Sequence, residues 1–299
     1  MTCCKEVLKN YLDISAPDVL YHYTKRSTLG LINDKREFWM NPFYGMNDRA
    51  DCRYLLDEFK NWLDRLDKNE HKYQDSSQYA RIISDLKQLA DDFLTHIIGK
   101  EYNIYIGSFS EIYDDPDMWE KYATEKDAGD GVCAGFRLKE CYGLPQFLDI
   151  DADSISSALL KVCYEQEVMF NLFEYMLKIC VNAEPSLSGK AYNQAKQEVN
   201  ELIIACSPMF KAPRHNRDKE WRLVTLQLLS TIPTGPSAKT FKFDLSRKGT
   251  LFPDGYIDKV YVQKDIGPTP IPMLALEFGI NERSLKPISL DLMKTSSNR

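Results

Sequence analysis

Strand-like segments that occur singly, with pairs of helices between them, are the feature of this sequence that most constrains its fold. Alternating apolar residues, which are typical of strands, recur at points such as 104–109 and 132–136. Apolar residues at helical spacing run instead through 55–66 and 82–97. Regular alternation of one strand with one helix, which would predict a parallel sheet, does not occur. The pattern therefore predicts an α+β fold, with a mixed, mostly antiparallel sheet core and helical hairpin insertions.

The same pattern predicts how the chain is divided. Its 299 residues are enough for one large domain with a sizeable core, and we expect residues 1–299 to form a single domain. The sheet core is predicted to comprise residues 17–52, 101–166 and 208–265, with helical insertions at 53–100 and 167–207.

The composition favours a globular protein and disfavours one that binds nucleic acids through bulk charge. Hydrophobic residues make up 43% of the chain and charged residues 27%, as in soluble globular domains. The formal net charge is −6, whereas non-specific binding to nucleic acids depends on surplus Lys and Arg. Only the segment 211–222 is locally basic. We therefore expect no bulk nucleic-acid binding.

The cysteines and the short motifs exclude several other classes. The eight cysteines include no CxxC pair and no zinc spacing with histidine. The aspartates of the loop 114–117 match no calcium-binding loop, so we predict no metal site. The motifs GxGxxG, GxxxxGK[ST], HExxH and GxSxG are missing from the sequence. No signal peptide and no apolar run of about 18 residues is found, so we expect a cytoplasmic protein without membrane contacts.

The segment 104–136 is the first candidate for a functional site. Ser108, Ser110, Trp119 and Tyr122 lie where a predicted strand ends and a short helix begins, which is a usual place for functional residues. A buried tryptophan that caps a hairpin explains the same pattern. Both interpretations stay open at this point.

His22 and Glu220 are the side chains with the clearest capacity for chemistry. His22 lies in a predicted strand between two tyrosines, where it is either a hydrogen-bonded core residue or a ligand-binding one. Glu220 begins an apolar strand. It is either catalytic or ion-paired, with Arg217, Lys219 and Arg222 as candidate partners.

Several short motifs follow one another along the chain. They are Tyr21-His22-Tyr23-Thr24, Asn41-Pro42 with Asn47-Asp48, Ser108-Phe109-Ser110-Glu111, Met118-Trp119-Glu120-Lys121-Tyr122-Ala123, Gly131-Val132-Cys133-Ala134-Gly135-Phe136, and Lys211 with Glu220-Trp221-Arg222. Together they resemble an uncharacterised bacterial family that is catalogued as a domain of unknown function. The resemblance covers roughly residues 19–263. It implies relatedness more than function, because the family has no established activity.

The order of three of these segments is more distantly similar to that of ADP-ribosyltransferases, in which a strand-borne histidine, a central strand and a late glutamate surround NAD. This resemblance implies NAD as the cofactor and His22 and Glu220 as catalytic residues. It also implies NAD contacts from Tyr23, Thr24, Asn41, Ser108, Ser110, Trp119, Tyr122, Arg214 and Arg222. The chain departs from the family pattern at Asp218, where a Glu or Gln would stand, which leaves the acceptor of ADP-ribose open.

The ADP-ribosyltransferase resemblance implies an NAD-dependent enzyme, such as a bacterial toxin or an anti-phage effector. Cleavage of the nicotinamide–ribose bond develops positive charge on the ribose, and a nearby carboxylate stabilises that charge. Two alternatives stay open. One is a non-catalytic nucleotide-sensing or protein-interaction module, and the other is a metal-dependent nuclease that uses His22, Asp48 and Glu220.

Overall fold

The structure is a computed structural model of the chain. The described residues are 16–43, 49–68, 76–93, 102–123, 131–138, 156–183, 189–228, 241–245, 256–263, 273, 275, 278 and 280–288. Asn47 and Asp48, which belong to one predicted motif, lie outside these ranges. So does most of the predicted loop after Phe136.

The described elements are nine strands, five longer helices and several short helical turns. The strands are β1 (Val19–Lys25), β2 (Glu37–Pro42), β3 (Tyr102–Ser110), β4 (Gly131–Arg137), β5 (Ser156–Lys161), β6 (Glu220–Leu228), β7 (Phe241–Asp244), β8 (Ile257–Gln263) and β9 (Leu285–Ile288). The longer helices are α1 (Arg26–Lys35), α2 (Arg49–Lys68), α3 (Ser76–Asp92), α4 (Gln166–Asn182) and α5 (Lys190–Cys206).

One sheet joins all nine strands. Its main path runs β5-β6-β3-β1-β4-β8-β9, and β2 branches from β3 to pair with β7. Every pairing is antiparallel except that of β8 with β9. The predicted α+β fold with a mixed, mostly antiparallel sheet is therefore confirmed. The division into one domain stays a prediction.

The strand alternation decides which face of the sheet the helices cover. Ile104 and Ile106 of β3 pack in one cluster with Val224 and Leu226 of β6 and with the buried faces of α2 to α5. Tyr105, on the opposite face of β3, packs in a second cluster with α1 and β4. Burial of each large apolar side chain contributes about 1.5–3 kcal/mol of transfer free energy, so the helical pairs are fixed on one side of β5, β6 and β3.

The edge of β3 that faces away from β6 is divided between two strands. On one edge, β3 pairs with β6 along its whole length, from Tyr102 to Ser110. On the other edge, β1 pairs at Ser110 and β2 pairs at Ile106 and Tyr105. Within the described part of the chain, residues 107–109 have no strand partner on this edge. The strands β1 and β2 diverge here and leave an opening in the sheet.

Three features differ from the sequence-based expectation. β4 pairs with β1 and β8, not with β3, so Trp119 does not cap a hairpin between β3 and β4. β5 begins at Ser156, before the apolar run that indicated it. β9 was not predicted, because it is only four residues long and contains Pro287.

Among the described residues, no helix combines the length and the apolar character that a membrane-spanning segment requires.

Candidate functional site

A cavity opens at the gap between β1 and β2. Its volume is about 410 Å³, within the range of small-molecule sites. Phe38 and Phe109 supply apolar walls, while polar side chains enter it from β1, β2, β3 and the segment before β6. Such a combination of aromatic walls with a few convergent polar groups is typical of a ligand site.

His22 fills part of the gap in the sheet. Its Nδ1 donates to the backbone carbonyl of Ser108 at 2.9 Å. Because a carbonyl only accepts, Nδ1 must carry the proton, and Nε2 is left as a hydrogen-bond acceptor. Phe38 and Phe109 surround the imidazole, with ring centroids 4.8 and 5.7 Å from it. Burial lowers the pKa of His22, and the hydrogen bond to Ser108 offsets this only in part, so the ring is neutral at pH 7.

Glu220 is the most strongly bound acid in the cavity. Its Oε1 accepts from Ser108 Oγ at 2.8 Å and from Arg222 Nε at 2.8 Å. Its Oε2 accepts from Lys211 Nζ at 3.0 Å and from Arg222 Nη2 at 3.4 Å. Burial alone would raise the pKa of Glu220, but the charges of Arg222 and Lys211 and their hydrogen bonds outweigh it and lower the pKa to about 2. The carboxylate is therefore ionised throughout the physiological range.

Lys211 joins Glu220 to a second acid. Its Nζ also donates to Asp218 Oδ2 at 2.8 Å, and its side chain is only 3% exposed. The backbone N–H of Lys211 donates to the carbonyl of Cys163 at 3.2 Å, which holds the segment against β5. The two carboxylates of Asp218 and Glu220 and the two cations of Lys211 and Arg222 therefore form a cluster with balanced charge. Lys211, Asp218 and Glu220 all line the cavity.

The structure brings most of the predicted site residues to one place. The predicted residues that line the cavity are His22, Tyr23, Thr24, Asn41, Ser108, Tyr122 and Glu220. Tyr23 is mostly buried, and its hydroxyl donates to the carbonyl of Ile112 at 2.7 Å. Tyr122 is 38% exposed and forms part of the cavity wall. Three neighbouring strands, β1, β3 and β6, therefore contribute His22, Ser108 and Glu220 to the same cavity.

Two predicted residues of the central segment lie outside the cavity lining. Trp119 is completely buried, its Nε1 donates to the carbonyl of Tyr113 at 2.9 Å, and its ring packs edge-on against Tyr23. Ser110 is also buried, and its Oγ donates to the carbonyl of Asp218 at 2.7 Å. Both side chains hold the loop around the cavity in place. The resemblance implied Trp119 as an NAD contact, whereas the aromatic residues on the lining include Phe38, Phe109 and Tyr122.

Arg214 and Arg222, which the resemblance implied as NAD contacts, also lie outside the lining. Arg222 is completely buried, binds Glu220 and donates from Nη1 to the carbonyl of Pro208 at 2.9 Å. Arg214 donates to His215 Nε2 at 3.0 Å in the short helical segment Pro213–Asp218. The cations on the cavity wall are Lys121 and Lys211.

Lys211 lies on the cavity lining, although it was not among the predicted site residues. It belongs to the one locally basic segment, but nine residues separate it from Glu220 and no periodicity relates the two. The candidates for the partner of Glu220 were Arg217, Lys219 and Arg222. Of these three candidates, Arg222 is the one that binds Glu220 in the structure. Contact between Lys211 and Glu220 arises because 207–219 folds back in short helical turns.

Among the described residues, no group of three or more His, Cys, Asp or Glu side chains is placed to hold a metal ion. Asp115 of the acidic loop accepts from the backbone N–H of Met118 and so caps a helical turn. Comparison of the chain with known protein families, curated proteins and solved structures found no match.

Proposed function

We propose that the cavity binds NAD and that the protein is an ADP-ribosyltransferase-like enzyme, which cleaves the nicotinamide–ribose bond. The observation that supports the proposal is the convergence of His22, Ser108 and Glu220, from three neighbouring strands, on one cavity. The volume of about 410 Å³ suits one half of a dinucleotide, with the other half extending to the mouth.

The electrostatics of Glu220 define the role that we assign to it. When the bond between ribose C1′ and the nicotinamide nitrogen breaks, its electron pair neutralises the pyridinium ring and positive charge develops on the ribose. The Glu220 carboxylate stabilises that charge. With a pKa of about 2, it is a poor proton acceptor at pH 7. Glu220 therefore acts through its charge, and the attacking acceptor loses its proton to solvent water.

His22 and Ser108 would position the ribose in this reaction. The acceptor atom Nε2 of neutral His22 suits a ribose hydroxyl, which is a hydrogen-bond donor. The hydroxyl of Ser108 orients Glu220 through its 2.8 Å hydrogen bond. Phe38 and Phe109 supply the apolar surface that a flat nicotinamide ring requires.

The test is the release of nicotinamide from NAD, measured together with thermal stability. Wild-type protein should be stabilised by NAD and should release nicotinamide, whereas Glu220→Gln and Ser108→Ala should release much less. Glu111→Gln is the matched control, because this carboxylate is also ion-paired, with Lys161 at 2.9 Å, but lies outside the cavity lining. It should keep the wild-type rate. The proposal would be refuted if folded wild-type protein were not stabilised by NAD and released no nicotinamide.

A second candidate, a non-catalytic nucleotide-sensing module, is favoured by one observation. Both oxygens of Glu220 already accept two hydrogen bonds each, as expected of a carboxylate with a structural role. On this hypothesis NAD stabilises the wild-type protein, but no nicotinamide appears over long incubation. The metal-dependent nuclease stays a prediction, since Asp48, one of its three residues, lies outside the described residues.

A further inference from the structure

Trp39 differs from the other tryptophans in its exposure. The chain has four tryptophans, of which Trp119 and Trp221 are buried and Trp62 is partly buried in the helical cluster. Trp39 lies on β2, is 47% exposed and lines the cavity. Its neighbour Phe38 points to the opposite face and is buried. The indole of Trp39 therefore faces the cavity and contributes little to the buried core.

The indole of Trp39 is held in one orientation. Its Nε1 donates to Glu37 Oε2 at 3.2 Å. Lys242, its partner across the β2–β7 pair, lies 3.2 Å from the same carboxylate oxygen and 5.2 Å from the centre of the indole ring. The lysine therefore covers one face of the ring, and a cation in this position is attracted to the π-system. Because the residue is 47% exposed, part of the indole surface remains accessible to a second planar group.

We propose that Trp39 is the stacking site for the adenine base of the dinucleotide. This inference rests on the proposed function, in which Glu220, Ser108 and His22 take the nicotinamide ribose. The other flat group of NAD must then lie farther out, where Trp39 and Tyr122 are the exposed aromatic residues of the lining. Lys121 lies on the wall, with its Nζ 4.9 Å from the centre of the Tyr122 ring. It supplies positive charge for the pyrophosphate between the two ends.

On this proposal, Trp39 strengthens the binding of a dinucleotide but not that of a mononucleotide. Stacking of a base on an aromatic side chain is generally sequence-tolerant and substantial, so loss of the indole should weaken NAD binding about tenfold. Nicotinamide mononucleotide lacks the adenosine half, so its affinity for the protein should not depend on Trp39. The full chain is titrated calorimetrically with NAD and with nicotinamide mononucleotide, as wild type, Trp39→Leu and Trp39→Phe.

The expected result is a selective loss. Trp39→Leu should weaken NAD binding about tenfold without changing the affinity for nicotinamide mononucleotide, and Trp39→Phe should retain most of the NAD affinity. Quenching of tryptophan fluorescence by NAD should persist in Trp62→Phe and disappear in Trp39→Leu. Equal weakening of both ligands by Trp39→Leu, or no change in either, would overturn this inference alone. If wild-type protein binds neither ligand, the proposed function falls with it.

Discussion

Replacement of Glu220 by Gln should destabilise the protein as well as abolish activity. The pKa of Glu220 is lowered from 4.5 to about 2, and the side chain is 7% exposed, so solvent screens its interactions little. A difference of about 2.5 between these values corresponds to about 3 kcal/mol in favour of the ionised form in the folded state. Gln resembles the protonated acid, and it removes the negative charge that Lys211 and Arg222 bind, although Asp218 still accepts from Lys211. Loss of one partner from a buried ion pair costs about 3–5 kcal/mol.

The sign of the effect gives a pH signature. Because folding lowers the pKa of Glu220, its contribution to stability is fully present above pH 4.5 and is lost as the pH falls towards about 2. Urea denaturation of wild type and Glu220→Gln should therefore show a difference of about 3 kcal/mol in the free energy of unfolding at pH 7. That difference should shrink below pH 4.5, with Glu111→Gln as the control. A difference below about 1 kcal/mol at pH 7, the range of exposed ion pairs, would refute the reasoning.

Three further predictions concern Gly107 and His22, which line the cavity, and Trp119 in the core beside it. Gly107→Ala should destabilise the protein by about 1–3 kcal/mol in urea denaturation, since an added Cβ would lie 2.4 Å from Phe38 Cε1. His22 should be neutral at pH 6.5, with its proton on Nδ1, in NMR spectra of nitrogen-labelled histidine, because burial lowers its pKa. Trp119→Ala should cost about 3–5 kcal/mol in the same denaturation assay, because this side chain is completely buried.

Each of these predictions has a result that would contradict it. Unchanged stability of Gly107→Ala would mean that Phe38 moves freely, contrary to its stacking on Phe109 with ring centroids 5.0 Å apart. An imidazolium signal for His22 at pH 6.5 would contradict the lowered pKa, and a neutral ring with its proton on Nε2 would contradict the assigned tautomer. If Trp119→Ala stayed as stable as wild type but lost NAD binding, Trp119 would be a ligand residue, as the resemblance to ADP-ribosyltransferases implied.

The regular elements were largely predictable because their apolar periodicity is strong. The alternation at 104–109 falls within β3, the strand predicted to begin at Glu220 is β6, and the helical insertion predicted at 167–207 contains nearly all of α4 and α5. Strand pairing was not predictable from periodicity, since the period of two assigns faces but not neighbours. The insertion of β1 between β3 and β4, which creates the gap, therefore had no signal in the sequence.

The site was predictable to the extent that it depends on strand position. His22, Ser108 and Glu220 meet because each lies at a definite place on a predicted strand. Trp119 and Tyr122 were treated alike, since residues three apart share a face of an α-helix. The segment Trp119–Ala123 is instead a π-helix, whose wider turn points Trp119 into the core and leaves Tyr122 at the cavity.

A crystal structure with a non-cleavable NAD analogue tests the central claim most directly, because it shows where the ligand lies whether or not an acceptor is known. The account predicts the analogue in the gap between β1 and β2, with its nicotinamide ribose against Glu220 and Ser108 and within hydrogen-bond reach of His22. An analogue bound elsewhere on the protein, or an empty cavity at saturating concentration, would contradict it.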